Sequence, residues 1–440
     1  MTERMDGAGR RRGLVGASIG NALEWFDWNA YAIFAAYFAG QFFADGGQAS
    51  ALLRSLAIFA VGFFFRPLGG ALLAAFSDRH GRRAGLTLSV ILMGGGSLLI
   101  AVSPTYHQAG LLAPALLVIA RIAQGLSTGG EFAASTTYLA ELAPPGRRGF
   151  YGSFFYLSGA VGTLSATALA AVLLATLGPA ALAEWGWRIP FLAGAVLALY
   201  GLYLRRALDE TDVYRAGGER RVARPTVEAI RRYPRESLRV VGFTVGATAA
   251  YYTFAVYLPS YAIDAVGVPA AGARWASFAA QLVFIAVLPL LGALSDRIGR
   301  RPLLVLFAAS FALLVVPLFR MMNASPWSLF ASMGAGLVLF ACYGAVAPTA
   351  MAEMFPTEVR AAGIGLPYAL TVAAFGGTAP YVVEWLSSHG RAAIYPWYLA
   401  ALSLVSLVVY ATSRETGQRD LAAPAPPGGS QQDRPERRRT

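Results

Sequence analysis

The sequence predicts an all-α polytopic membrane protein, with twelve transmembrane helices in two halves of six. Three observations carry that reading. The chain of 440 residues is 56% hydrophobic and only 14% charged, where a soluble globular chain carries about 25% charged residues. Its apolar residues fall into twelve runs, each at least as long as the ~20 residues that cross a bilayer. Two motifs recur in the same order in the first and second halves of the chain.

The spans, read between arginine, proline and glycine breaks, are 14–43, 52–76, 84–103, 111–140, 149–177 and 186–206 in the first half. In the second half they are 237–264, 273–295, 301–321, 327–352, 359–387 and 392–413. The first follows Arg10, Arg11 and Arg12, and it is too long and too acidic, with Glu24 and Asp27, to be a cleaved signal peptide. The third and ninth each follow an arginine pair, Arg82–Arg83 and Arg300–Arg301, and the fifth follows Arg147–Arg148. The sixth opens on GWRIPF at 186–191 and closes on Arg205 and Arg206. The resulting domains are an N-terminal segment 1–13, a bundle 14–206, a polar arginine-rich central loop 207–235, and a second bundle 236–413. A tail, 414–440, rich in Pro, Gly, Gln and Arg, is expected to be disordered.

Charge placement sets the expected orientation. The formal net charge is +12, and all 36 basic residues are arginine. Without lysine there is no Walker-A lysine and no Schiff-base lysine. A basic chain suggests nucleic acid, but here the arginines sit in clusters between apolar runs, which fits topology instead. The clustered loops belong in the cytoplasm, and with them both termini and the central loop. The expected place is a bacterial-type inner membrane.

SDRHGRR at 77–83 recurs as SDRIGRR at 295–301, between the second and third spans of each half. Glu141-x-x-Pro144-x-x-x-Arg148 recurs as Glu353-x-x-Pro356-x-x-x-Arg360, between the fourth and fifth. From Asp78 to Asp296 is 218 residues, and from Glu141 to Glu353 is 212. Two motifs in order at nearly one offset mark a duplicated unit of six helices. An Asp at a helix end caps a helix or pairs with Arg from a neighbour. The set Asp78, Arg79, Gly81, Arg82, Arg83, Glu141 and Arg148, with Asp296, Arg297, Gly299, Arg300, Arg301, Glu353 and Arg360, is therefore a candidate cytoplasmic gate. The alternative is an orientation signal with a fixed inter-helix tie.

The loop motif resembles the signature of the major facilitator superfamily. Its fuller form has Gly four residues before the Asp: Gly292 in the second copy, Ala74 in the first. GNALEWFDW at 20–28, RPLGG at 66–70, ARIAQGLSTGGE at 120–131, GWRIPF at 186–191 and AEMFPTEVRAAG at 352–363 are similar to the metabolite:proton symporter family. Within it, residues 181–211 look most like the α-ketoglutarate permeases. The resemblance covers about 14 to 413. It implies a proton-coupled carrier of a small organic anion, working as a monomer by alternating access, with no cofactor beyond the proton.

Ionisable residues inside a bilayer are costly, so each is a candidate functional group. Glu24 and Asp27 are three apart and expected to share a face, about 15–20 Å from the cytoplasmic start of their helix. Two such carboxylates in low dielectric cannot both ionise at low cost. They are the expected proton site, with Glu131 ranked third. Arg66, roughly 18 Å into its helix, and Arg121 suit a substrate carboxylate, because guanidinium binds it bidentately and keeps its charge. Gln124, Tyr251 and Tyr252 are further candidate substrate ligands. Permanent ion pairing of these charges, and packing of the uncharged three, are the structural alternatives. The three histidines form no metal-ligand spacing, so no metal site is expected.

A symporter of a dicarboxylate such as α-ketoglutarate is the leading expectation. Other substrates of the family (citrate, shikimate, proline or betaine) and an efflux antiporter remain alternatives. No catalytic set of His, Asp or Ser supports an enzyme. A receptor lacks a reason for the duplication.

Overall fold

A computed structural model describes residues 7–43, 47–206, 211, 214, 224–376, 378, 382, 386 and 389–417. Most of the expected central loop, part of the eleventh span and the tail beyond 417 lie outside the described residues.

Twelve helices form the body. In the first half they are α1 (Gly7–Phe42), α2 (Gly47–His80), α3 (Arg82–Val102), α4 (Leu112–Leu142), α5 (Arg148–Ala181) and α6 (Arg188–Arg206). In the second they are α7 (Pro234–Tyr251), α8 (Ala270–Ile298), α9 (Arg301–Arg320), α10 (Pro326–Gly344), α11 (Arg360–Thr371) and α12 (Tyr395–Thr412). Ten of the described helices are long and apolar enough to cross a membrane. The other two crossings are α1, diluted by Arg10, Arg11, Arg12, Glu24 and Asp27, and α6, whose apolar part is short, Arg188–Tyr203.

Within the first half α4 packs against both α2 and α3, and α1 against α5. Across the halves α5 packs on α8, and α2 on α11. Close approach of α2 and α4 depends on glycine: a Cβ on Gly129 would lie 1.9 Å from the Arg66 carbonyl oxygen. Both copies of the loop motif turn on a glycine at positive φ, Gly81 at 111° and Gly299 at 96°, a conformation that excludes ordinary side chains.

Two details add to the expected domain plan. Within the central loop, Pro225–Arg232 is a helix against α2 and α11, with the Thr226 hydroxyl donating to Ala71 O at 3.0 Å. The start of the tail, 414–417, has no regular secondary structure but is anchored by hydrogen bonds. Glu415 accepts the backbone N–H groups of Arg300 (2.8 Å) and Arg301 (3.0 Å), so residues 414–417 close the N-terminus of α9.

Candidate functional site

A cavity of about 510 Å³ lies between the halves. From α1 it takes Glu24, Trp25, Trp28 and Asn29. At 100° per residue these four span one arc of the helix, and Asp27 falls outside it. From α2 come Phe59, Phe63 and Arg66, and from α4 Thr128 and Phe132. The second half supplies Thr248, Tyr251, Tyr252, Tyr368 and Val372. Where α7 and α11 border the cavity they continue as wider π-helical turns, Tyr252–Tyr257 and Val372–Gly376, a local widening common at functional sites. Tyr368 stacks on Phe132 with ring centroids 3.4 Å apart, joining the halves beside the cavity.

Arg66 and Glu24 are the charged residues of this lining. Arg66 donates to the Tyr252 hydroxyl at 3.3 Å and lies 4.2 Å from the Trp28 ring centroid and 3.9 Å from that of Phe63. Its Nε has no hydrogen-bond partner among the described residues. Glu24 hydrogen-bonds Thr128, and its Oε2 is likewise unpartnered among them. This is a cation with spare donors and a carboxylate with a spare acceptor, both at an apolar wall.

Asp27 belongs to a second, closed cluster. Its carboxylate accepts from the Ser97 hydroxyl of α3 and the Gln124 amide of α4, and lies 3.8 Å from Arg121 Nη1. Arg121 in turn donates to Gln124 Oε1. The Arg121 guanidinium rests against Trp28 at 4.0 Å, Tyr31 at 4.4 Å and Phe59 at 5.0 Å. Asp27, Arg121, Gln124 and Ser97 are all 0% exposed.

Several expected assignments therefore change place. Glu24 and Asp27 do not form one carboxylate pair. Glu24 has Glu131 and Arg66 as its principal charged neighbours, and Asp27 has Arg121. Sixty degrees of helix rotation is enough to send them to different neighbours. Arg121 and Gln124 lie behind Trp28, outside the cavity lining, where they serve Asp27. Arg66, Tyr251 and Tyr252 do line the cavity. Glu131 is buried in α4 and accepts from Ser135 at 2.7 Å. Ser97 and Thr128 were not singled out from the sequence, because small hydroxyl residues among glycines carry no distinguishing pattern. Trp28 lies inside GNALEWFDW, but a tryptophan in an apolar run reads first as packing.

The duplicated motifs form two matching locks on the arginine-rich face. Asp78, at the end of α2, accepts the backbone N–H groups of Ala361 (3.2 Å) and Ala362 (2.8 Å) at the start of α11. Asp296, at the end of α8, accepts those of Gly149 (2.8 Å) and Phe150 (3.0 Å) at the start of α5. Each half thus caps the fifth helix of the other. Arg82 pairs with Asp78 and Glu141, and Glu141 pairs with Arg360. Arg300 pairs with Asp296 at 2.8 Å and with Glu353 at 3.4 Å, and Arg148 with Glu353 at 3.6 Å. Thr211 and Thr416 donate to Glu141 and Glu353 respectively, each at 2.6 Å. Arg79, Arg83, Arg297 and Arg301 are exposed around these clusters.

Comparison with known proteins agrees with this architecture. The Major Facilitator Superfamily profile matches residues 17–366 and 243–437. An alpha-ketoglutarate permease of Escherichia coli (strain K12) is 42% identical, over 91% of this chain and 93% of its own length. A proline/betaine transporter of the same organism is 32% identical, over 94% and 86%. Among solved structures, the proton:xylose symporter XylE bound to 6-bromo-6-deoxy-D-glucose superposes with a TM-score of 0.79 at 19% identity, covering 95% of this chain and 98% of that one. FucP in its outward conformation gives 0.65 at 15% identity, covering 91% and 99%.

Proposed function

The chain belongs to the major facilitator superfamily of membrane transporters, and from that premise we propose that it is a proton-coupled symporter of a small carboxylated metabolite. The observation that carries the reading is the separation of two charge sites. Asp27 is enclosed with Arg121, Gln124 and Ser97, as a proton carrier needs to be. Arg66 faces the cavity with unused donor capacity, as a carboxylate ligand needs to be. Protonation of Asp27 releases Arg121, and substrate neutralises Arg66. The arginine-rich face is the cytoplasmic one on charge bias, so the two locks hold the cavity shut toward the cytoplasm. The described cavity lining comes from one chain, which supports a monomer as the working unit. Similarity to an alpha-ketoglutarate permease favours a dicarboxylate.

One observation favours a second substrate class. Glu24 faces the same cavity as Arg66, among the rings of Trp25, Trp28 and Tyr251. A zwitterion would place its carboxylate on Arg66 and its ammonium on Glu24 and the ring faces. The test is purified protein in liposomes, offered labelled α-ketoglutarate, citrate, shikimate, proline and betaine, with and without an inward proton gradient. Gradient-driven uptake of α-ketoglutarate is expected. Uptake indifferent to the gradient rejects symport, and preference for betaine selects the zwitterion.

A further inference from the structure

The cavity and the Asp27 cluster meet at Trp28, where a cation from each lies on one ring. The guanidinium carbons of Arg66 and Arg121 lie 4.2 and 4.0 Å from the Trp28 ring centroid. The first belongs to the cavity wall and the second to the buried ion pair. The indole N–H donates to the Thr128 hydroxyl at 2.6 Å, and Thr128 also serves Glu24. Phe59 and Phe63 meet the ring edge-on at 5.0 and 4.9 Å. Gly62 leaves room for it, since a Cβ there would fall 2.7 Å from Trp28 Cη2. The ring is therefore fixed in place, with a cation from each site upon it.

Two cations that share one π-system compete for it and repel each other. Arg121 depends on the ring more than usual, because its Nε and Nη2 have no hydrogen-bond partner among the described residues. When Asp27 takes a proton, Arg121 loses its counter-charge and leans further on the ring. When a carboxylate binds Arg66, that cation is neutralised and the ring is left to Arg121. Each event lowers the cost of the other. We infer that Trp28 is the positioning residue that links protonation of Asp27 to occupancy of Arg66. This rests on the symport reading above and adds to it the route by which the two sites sense each other.

The link is reciprocal, so it is readable as coupling rather than as rate. Wild type, Trp28→Leu and Trp28→Phe are reconstituted and given labelled α-ketoglutarate in two assays, gradient-free exchange and gradient-driven accumulation. Trp28→Leu removes the ring, and its ratio of accumulation to exchange should fall at least about fivefold, the lower end of ordinary site-to-site coupling. Trp28→Phe keeps a ring face and should retain most of that ratio. An unchanged ratio in Trp28→Leu overturns the inference while leaving symport intact. Parallel loss of both assays in the two variants makes the ring a packing element and also overturns it. A wild type indifferent to the gradient removes the symport reading itself, and the inference with it.

Discussion

Asp27 is held by one guanidinium, one amide and one hydroxyl, all of them buried. Asp27→Asn keeps the shape of that nest and removes its charge. Accumulation should drop to the equilibrium level while exchange persists, as read in liposomes with and without a proton gradient. Arg121 then keeps a buried charge with no carboxylate, so a stability loss of about 1–3 kcal/mol is expected in a thermal melt. Arg66 poses the opposite test. Lysine keeps the charge at this position but not the planar fork or its stacking on Trp28 and Phe63. Arg66→Lys should raise the apparent KM about tenfold, equivalent to about 1.4 kcal/mol. An unchanged KM removes Arg66 from the substrate site. The identities of these charges were readable from the sequence, because five ionisable residues stand out in apolar runs. Their pairing was not. It depends on which arc of α1 faces α3 and α4, and a spacing of three leaves that open.

At the scale of elements, the helix ends carry the information. Glu415 accepts backbone N–H groups from Arg300, Arg301, Thr416 and Gly417. Those donors hold its carboxyl below the usual carboxylate range. A lowered value means that this cap stabilises the fold above the ordinary glutamate value, about 4.3, and is lost as the pH falls through the lower folded value. Glu415→Gln should melt earlier than wild type at neutral pH, and the two melting curves should converge in acid. The twelve helices were legible from apolar runs read together with the Arg, Pro and Gly breaks between them; hydropathy and length by themselves give ten among the described residues. The cap was not, because Pro, Gly and Arg in the tail read as disorder and conceal one ordered turn. The sequence also holds a third recurrence: Glu210-Thr211 returns as Glu415-Thr416, and both threonines donate to the glutamate of the preceding motif. A dipeptide is too short to be recognised until its partners are seen.

At the scale of the molecule, the two halves share a backbone plan and divide the chemistry. Among the described residues, the charges at and behind the cavity, Glu24, Asp27, Arg66, Arg121 and Glu131, all belong to the first half, while the second contributes hydroxyls and rings there, Tyr251, Tyr252 and Tyr368 among them, and keeps its buried Arg300, Glu353 and Arg360 in the locks. The duplicated plan was legible at the offsets of 218 and 212 residues. The locks set the balance between states. Asp78→Asn combined with Asp296→Asn removes the charge from both caps, each worth about 0.3–1 kcal/mol, and should move the population toward the form open on the arginine-rich face. Labelling of Thr349→Cys in a Cys342→Ser background would report it. Thr349 donates to Arg148 O across the halves at 3.0 Å, and its labelling rate should rise several-fold.

The donors that reach Asp78 and Asp296 from the opposite half are peptide groups, and every residue except proline supplies one. Which side chain stands at 361 or 362 is thus irrelevant to the bond, provided it is small enough for sites that are 0–1% exposed. Mutational tolerance should then be lopsided: the aspartate is irreplaceable on one side of the contact, and the opposite side is free to drift. Ala362→Ser should leave transport near wild type, and Ala362→Pro should behave like loss of Asp78. A saturation scan scored by transport would show this as a column emptied only at proline and at the large residues.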